Sequence, residues 1–196
     1  MRHGETDWSA SGRHTGTSDL PLNARGRAQA MRLGRGLALL GIDFAAAWTS
    51  PLARARETSS LAGFPEARLL DDLREWDYGE YEGTRTADVR REEHNPNWLI
   101  WTAAVRQGET VRNVGARADA AIAALVDGSP AGNVIVFSHG HFLRILAARW
   151  MGLPGNAGQR LALDTGTVSI LGHEHEYGVI DRWNAPLANM EDADED

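Results

Sequence analysis

The run Asn133-Val134-Ile135-Val136-Phe137-Ser138 limits the possible folds more than any other stretch. It is apolar, rich in β-branched residues and bounded by Gly132, which reads as a buried strand. The pattern becomes helical at once, from Gly140 to Met151, with His139 at the junction. Phe44-Ala45-Ala46-Ala47-Trp48-Thr49 repeats the arrangement, with a turn at Ser50-Pro51 and a helix from Leu52 to Leu61. Strands that are apolar on both faces and feed helices predict an α/β fold with parallel strands.

The other elements fit that frame. Asn23 caps a predicted helix from Ala24 to Leu40, whose Ala28, Met31, Leu33, Leu37 and Leu40 fall largely on one face; Gly41 ends it. Glu109-Thr110 opens a second long helix through Val126, with Thr110 as the cap and Val114, Ala118, Ala121, Ile122 and Leu125 as the apolar stripe. Ala67-Arg68-Leu69-Leu70 reads as a short strand, and Val168 to Gly172 with Val179 to Trp183 as a hairpin turning at Tyr177-Gly178. Residues 7 to 22, dense in Gly, Ser and Thr, read as a loop. No repeat or linker divides the chain, so residues 1–190 are expected to form a single domain, followed by an acidic, disordered tail at 191–196.

With 196 residues, 42% hydrophobic and 24% charged, the chain can fill one core. No run approaches the roughly 18 apolar residues of a membrane span, and a signal peptide's basic and apolar regions are missing. The expectation is therefore a cytoplasmic protein without membrane partners. The absence of cysteine excludes disulfides and thiolate metal sites. A net charge of −7 argues against a broad nucleic-acid surface, but not against a small anionic ligand, which local arginines would hold. A homo-oligomer is compatible with this composition.

Chemistry first appears in Arg2-His3-Gly4-Glu5-Thr6. An imidazole beside a fixed cation and an open glycine backbone suits a nucleophile facing an anion, and the anion to expect is a phosphoryl group. A lone His more often packs in a core or on a surface, so the motif needs company. Thr49-Ser50-Pro51-Leu52-Ala53-Arg54 places an arginine in the first turn of a helix, where an anion is favoured. Leu73-Arg74-Glu75-Trp76-Asp77-Tyr78-Gly79 brings a carboxylate beside aromatic side chains, and Phe137-Ser138-His139-Gly140-His141 brings a second imidazole.

These four motifs, in this order, resemble the histidine phosphatase superfamily, also called phosphoglycerate mutase-like. The resemblance implies a three-layer α/β/α fold with a mostly parallel sheet. It also implies a phosphohistidine on His3, with Arg2, Arg54 and His139 holding the phosphoryl oxygens and Glu75 acting as the general acid. Asp77 and Glu80 are the alternatives for that acid, and Arg56 reads as a surface residue. Substrate contacts are implied for Arg13, for the Thr15 hydroxyl, for the Gly16 backbone N–H and for Gly140, and Ser9 stands where many members carry Asn. The family's hydrophobic strand before Arg-His-Gly is expected to precede Met1. Trp98 and Trp101 read as satellite core, with Trp98 as an alternative wall of the substrate site, and His141 reads as a packing neighbour. His139-Gly140-His141 and His173-Glu174-His175 lack the companions of a metal site, so no metal and no cofactor are expected. Asp72 to Gly83 and Ser11 to Gly16 are similar to the sedoheptulose bisphosphatase branch and to related bacterial acid phosphatases. Three readings follow: a phosphatase of small sugar or carboxylate phosphates, a phosphoglycerate mutase, and a non-catalytic relative that only binds a phosphorylated ligand.

Overall fold

The computed structural model describes residues 1–186, so the tail at 191–196 lies outside the described residues. The strands β1 (Phe44–Thr49), β2 (Arg68–Leu69) and β3 (Asn133–Phe137) form a parallel sheet in the order β2-β1-β3. Five longer helices surround it: α2 (Ala24–Leu39), α3 (Ala53–Leu61), α4 (Thr86–Glu92), α5 (Val111–Asp127) and α6 (Gly140–Trp150). The chain closes with an antiparallel hairpin of β4 (Val168–Glu174) and β5 (Tyr177–Ala185).

Alternation along β3 makes the layers. Ile135 and Phe137 enter a cluster with Leu33 and Leu37 of α2 and with Ala62, while Val136 packs against the cluster of α5 and α6 that contains Val114, Ala118 and Phe142. Helices therefore cover both faces, as the strand pattern predicts. The helix starts follow from local chemistry. The Asn23 side chain accepts from Gly26 N–H at 2.9 Å, and Thr110 Oγ1 accepts from Asn113 N–H at 3.2 Å.

Two local expectations are corrected. Residues 7 to 22 are not all loop, because Asp7–Ala10 form a single helical turn, α1, closed by a reciprocal Thr6–Ser9 capping box. The hairpin turns at His175-Glu176 rather than at Tyr177-Gly178, and His175 adopts φ 55°. His173, on β4, lies against Trp150, with ring centroids 4.7 Å apart and planes tilted by 54°.

Met1 to His3 lie parallel to the end of β3. Val136 O accepts from Met1 N at 2.8 Å, Met1 O accepts from Ser138 N–H at 3.0 Å, and His3 N–H donates to Ser138 O at 3.0 Å. On the other side, Arg2 N–H donates to Thr167 O at 3.2 Å, just before β4. The place the resemblance assigns to a central strand is thus held only at its carboxyl end. Between β3 and β4, behind Met1, an apolar cleft of about 530 Å³ runs past Val134, Ile135, Leu143 and Val168.

Candidate active site

Close backbone approach fixes His3. A Cβ on Gly4 would meet Gly26 O at 2.3 Å, so only glycine lets the segment dock on the first turn of α2. Gly4 N–H donates to Thr58 Oγ1 of α3 at 3.0 Å. The His3 ring, 4% exposed, has Nδ1 2.6 Å from Gly4 O. A carbonyl can only accept, so Nδ1 carries the proton and Nε2 is left as a lone pair. Burial, and then the charges of Arg54 and Arg2, hold His3 well below the usual imidazole range, which keeps that lone pair free at neutral pH.

Arg2, His3 and Glu75 line one end of a cavity of about 260 Å³. Arg2 donates from Nη1 to Leu163 O and lies flat on the start of α6, where a Cβ on Gly140 would stand only 3.2 Å from its Cζ. Its buried Nε has no partner among the described residues. Glu75, 8% exposed, projects onto the amino end of α6. Its Oε1 accepts from Trp76 N–H at 2.9 Å and Phe142 N–H at 2.8 Å; its Oε2 accepts from His141 N–H at 3.1 Å. Only Oε2 therefore keeps an unused lone pair for a ligand proton. Asp77 and Glu80 do not line the cavity.

Arg54 and His139 come together as expected, but one layer deeper. Both are 0% exposed. Arg54 Nε donates to His139 Nδ1 at 3.0 Å, and His139 Nε2 stands 2.8 Å from Ser50 Oγ. Because Nδ1 accepts, the proton of the neutral ring sits on Nε2 and goes to Ser50. Burial and the neighbouring Arg54 hold His139 well below its ordinary value. Arg54 also donates to the carbonyls of Ser18, Thr15 and Gly16. The His3 and His139 rings are 5.2 Å apart, and Arg54 and His139 lie behind the His3 ring rather than line the cavity. Arg56 is exposed, as its surface reading requires.

The loop after α1 needs the largest correction. Gly16 N–H is not free for a phosphate: it donates to Glu82 Oε2 at 2.9 Å, and Ser18 N–H donates to the same carboxylate at 3.1 Å. The Thr15 hydroxyl turns back to Arg13 O at 3.1 Å. Arg13, Thr15, Ser9 and Gly140 do line the cavity. Its roof is Leu99, Ile100 and Trp101, while Trp98 is buried against Tyr81 and leaves the wall to Trp101. Sequence reading missed Glu82, which organises the loop, and Ser50, which orients His139. Glu82 sits in an acidic run that looks solvated, and nothing nearby in sequence marks its partners. Among the described residues, no group of three or more His, Asp or Glu side chains is spaced to hold a metal ion, and no helix is long and apolar enough to cross a membrane.

Comparison with known proteins identifies the family. An acid phosphatase of Mycobacterium tuberculosis is 42% identical over 175 residues, covering 89% of this chain and 85% of that one. A sedoheptulose 1,7-bisphosphatase of Saccharomyces cerevisiae is 38% identical over 180 residues, covering 78% of this chain and 66% of that one. The solved structure of an open reading frame from Mycobacterium tuberculosis superimposes with a TM-score of 0.89 at 39% identity, over 95% of this chain and 96% of that one. The model of the histidine phosphatase superfamily, branch 1, matches residues 1–186, and the chain belongs to that family.

Proposed function

We propose that this chain hydrolyses phosphomonoesters of small metabolites, sugar phosphates or bisphosphates among them, through a phosphohistidine on His3 and without a metal ion. The observation that carries the reading is the Nδ1–H of His3 on Gly4 O, which leaves Nε2 as a lone pair beside Arg2 and Glu75 in one cavity.

In the first step Nε2 attacks phosphorus in line, an N–P bond forms, and the P–O bond to the leaving alcohol breaks. Glu75 gives its proton to the departing oxygen through Oε2. Water then enters from the side the alcohol vacated, loses a proton to Glu75 and displaces Nε2, which restores the imidazole. Arg2 meets the equatorial oxygens, and Arg54 adds positive potential from behind. Preorganised cations stabilise that charge throughout the loose transition state. His139, fixed by Arg54 and Ser50, keeps the His3 ring in position. The alternative acceptor, a second acid alcohol as in a phosphoglycerate mutase, would use the same intermediate.

The test is rapid alkaline quench with a radiolabelled phosphate ester. The wild-type chain should trap label in base-stable, acid-labile form, and His3→Ala should lose both label and turnover. Full turnover in that variant would end the assignment. Release of inorganic phosphate, rather than transfer to an added phosphoglycerate, separates phosphatase from mutase.

A further inference from the structure

The backbone that carries Glu75 belongs to no helix or sheet. After the 3₁₀ turn Asp71–Leu73 the chain runs irregularly to Tyr78, so its carbonyls need donors from other elements. Ser138 Oγ supplies one, to Leu73 O at 2.7 Å. Arg117, in the second turn of α5, supplies three more. Its Nη1 donates to Asp72 O at 2.9 Å and to Arg74 O at 2.7 Å, and its Nη2 to Glu75 O at 3.1 Å. Its other two N–H groups form a fork on Glu109, Nε to Oε1 at 2.9 Å and Nη2 to Oε2 at 2.7 Å. All five guanidinium donors thus have acceptors within the protein.

Glu109 extends the grip along the same segment. Its Oε2 also accepts from Asp77 N–H at 3.0 Å, its N–H donates to Asp77 O at 2.9 Å, and its carbonyl accepts from Trp76 Nε1 at 2.7 Å. Between them, Arg117 and Glu109 hold every residue from Asp72 to Asp77 except Leu73. Arg117 Cζ also lies 4.9 Å from the centre of the Phe142 ring, and Phe142 N–H is one of the donors to the Glu75 carboxylate. One guanidinium therefore touches both the segment that carries the acid and the helix start that receives it. Neither Arg117 nor Glu109 lines the cavity.

We propose that Arg117, fixed by Glu109, is the positioning residue for the general acid, holding the backbone of Glu75 so that Oε2 meets the leaving oxygen. The proposal rests on the phosphatase reading, in which Glu75 protonates the leaving group and then activates water. Without the guanidinium, three carbonyls would turn to water and the segment could shift against α6. A displacement of about 1 Å at a reacting group costs about 10²-fold in rate. Because Arg117 acts through Glu75, its loss should hurt each step in proportion to that step's need for the acid.

The experiment measures single-turnover phosphorylation of His3 by glycerol 3-phosphate, phenyl phosphate and 4-nitrophenyl phosphate. It uses the wild type, Arg117→Met, Arg117→Lys, Glu109→Gln, Glu75→Gln and the double variant of Glu75→Gln with Arg117→Met, with thermal melting to establish folding. Arg117→Met should slow phosphorylation by the alkyl ester about 10- to 100-fold, and by 4-nitrophenyl phosphate only a few-fold. Hydrolysis of phospho-His3, for which Glu75 is the base, should slow with the alkyl reaction. Arg117→Lys keeps the charge but lacks the planar fork, and should recover only part of the rate. In the double variant, Arg117→Met should add little to the loss from Glu75→Gln, because the group it positions is already gone. Equal slowing on all three esters, full recovery by Lys, or additive losses in the double variant would overturn the positioning role. Should Arg117→Met fail to fold, Glu109→Gln and Arg117→Lys decide by the same comparison of leaving groups. Selective slowing in Glu75→Gln with the Arg117 and Glu109 variants unaffected would refute the positioning role alone. A wild type that forms no phosphohistidine from any ester would refute the phosphatase reading, and the positioning role would fall with it.

Discussion

Replacing Glu75 by Gln probes the acid role and the local fold together. The carboxylate accepts three backbone N–H groups, from Trp76, His141 and Phe142. A Gln carbonyl oxygen can replace Oε1 and keep Trp76 and Phe142, but the amide nitrogen then faces His141 N–H, donor against donor. One buried N–H without an acceptor costs about 1–3 kcal/mol, and for a chain of this size each kcal/mol lowers Tm by about 2–4 °C. Glu75→Gln should therefore melt roughly 2–12 °C below wild type, a loss small enough to leave the protein folded at 25 °C. Catalysis should fall much further. A general acid contributes typically about 10²–10⁴-fold, most when the leaving alkoxide is poor. Hydrolysis of a sugar phosphate should drop by that factor. Phosphorylation of His3 by an aryl phosphate should drop far less, because phenolate departs with little help. With the base for water also removed, phosphohistidine should accumulate in the variant. Single-turnover phosphorylation and dephosphorylation on both esters make the measurement. Equal slowing on alkyl and aryl substrates, with no trapped intermediate, would refute the reasoning and return the acid role to Asp77 or Glu80.

Glu82→Ala should release Gly16 and Ser18 N–H, loosen the loop that carries Arg13 and Thr15, and raise KM several-fold more than it lowers kcat; a kcat effect alone in steady-state assays would count against this positioning role. Stability should fall as pH drops below about 6.5. The native state holds His3, His139 and His141 neutral, and His14 at about 4 against an ordinary 6.5, so the unfolded chain binds more protons in that window. His14 alone accounts for roughly 3 kcal/mol between pH 7 and pH 4, which denaturant midpoints across that range would detect. Because protonation of His3 is also pushed well below 6.5, the acid limb of kcat/KM should lie well under that value. EDTA should leave phosphate release intact, since Arg2 and Arg54 supply the positive charge; loss of activity restored by a divalent ion would show otherwise.

Much of the fold and of the chemical identity of the site can be read along the chain. Strand, turn and helix follow one another within 18 residues at Phe44–Leu61 and again at Asn133–Trp150, so local periodicity alone places Arg54 and His139 just beyond the carboxyl ends of strands. His3 and Glu75 declare themselves by short motifs. The use of each donor and acceptor is not legible in this way, because it depends on partners far apart in sequence. Glu82 meets Gly16 across 66 positions, His141 meets Tyr78 across 63, and His139 meets Ser50 across 89. The same long-range pairing takes the Gly16 N–H away from the ligand and sets Arg54 and His139 behind the cavity. It puts Trp101 rather than Trp98 on the wall. The sequence by itself determined which reactive groups the chain carries and at which strand ends they emerge. Only the tertiary structure decided which of their hydrogen bonds are already spent within the protein and which remain for a substrate.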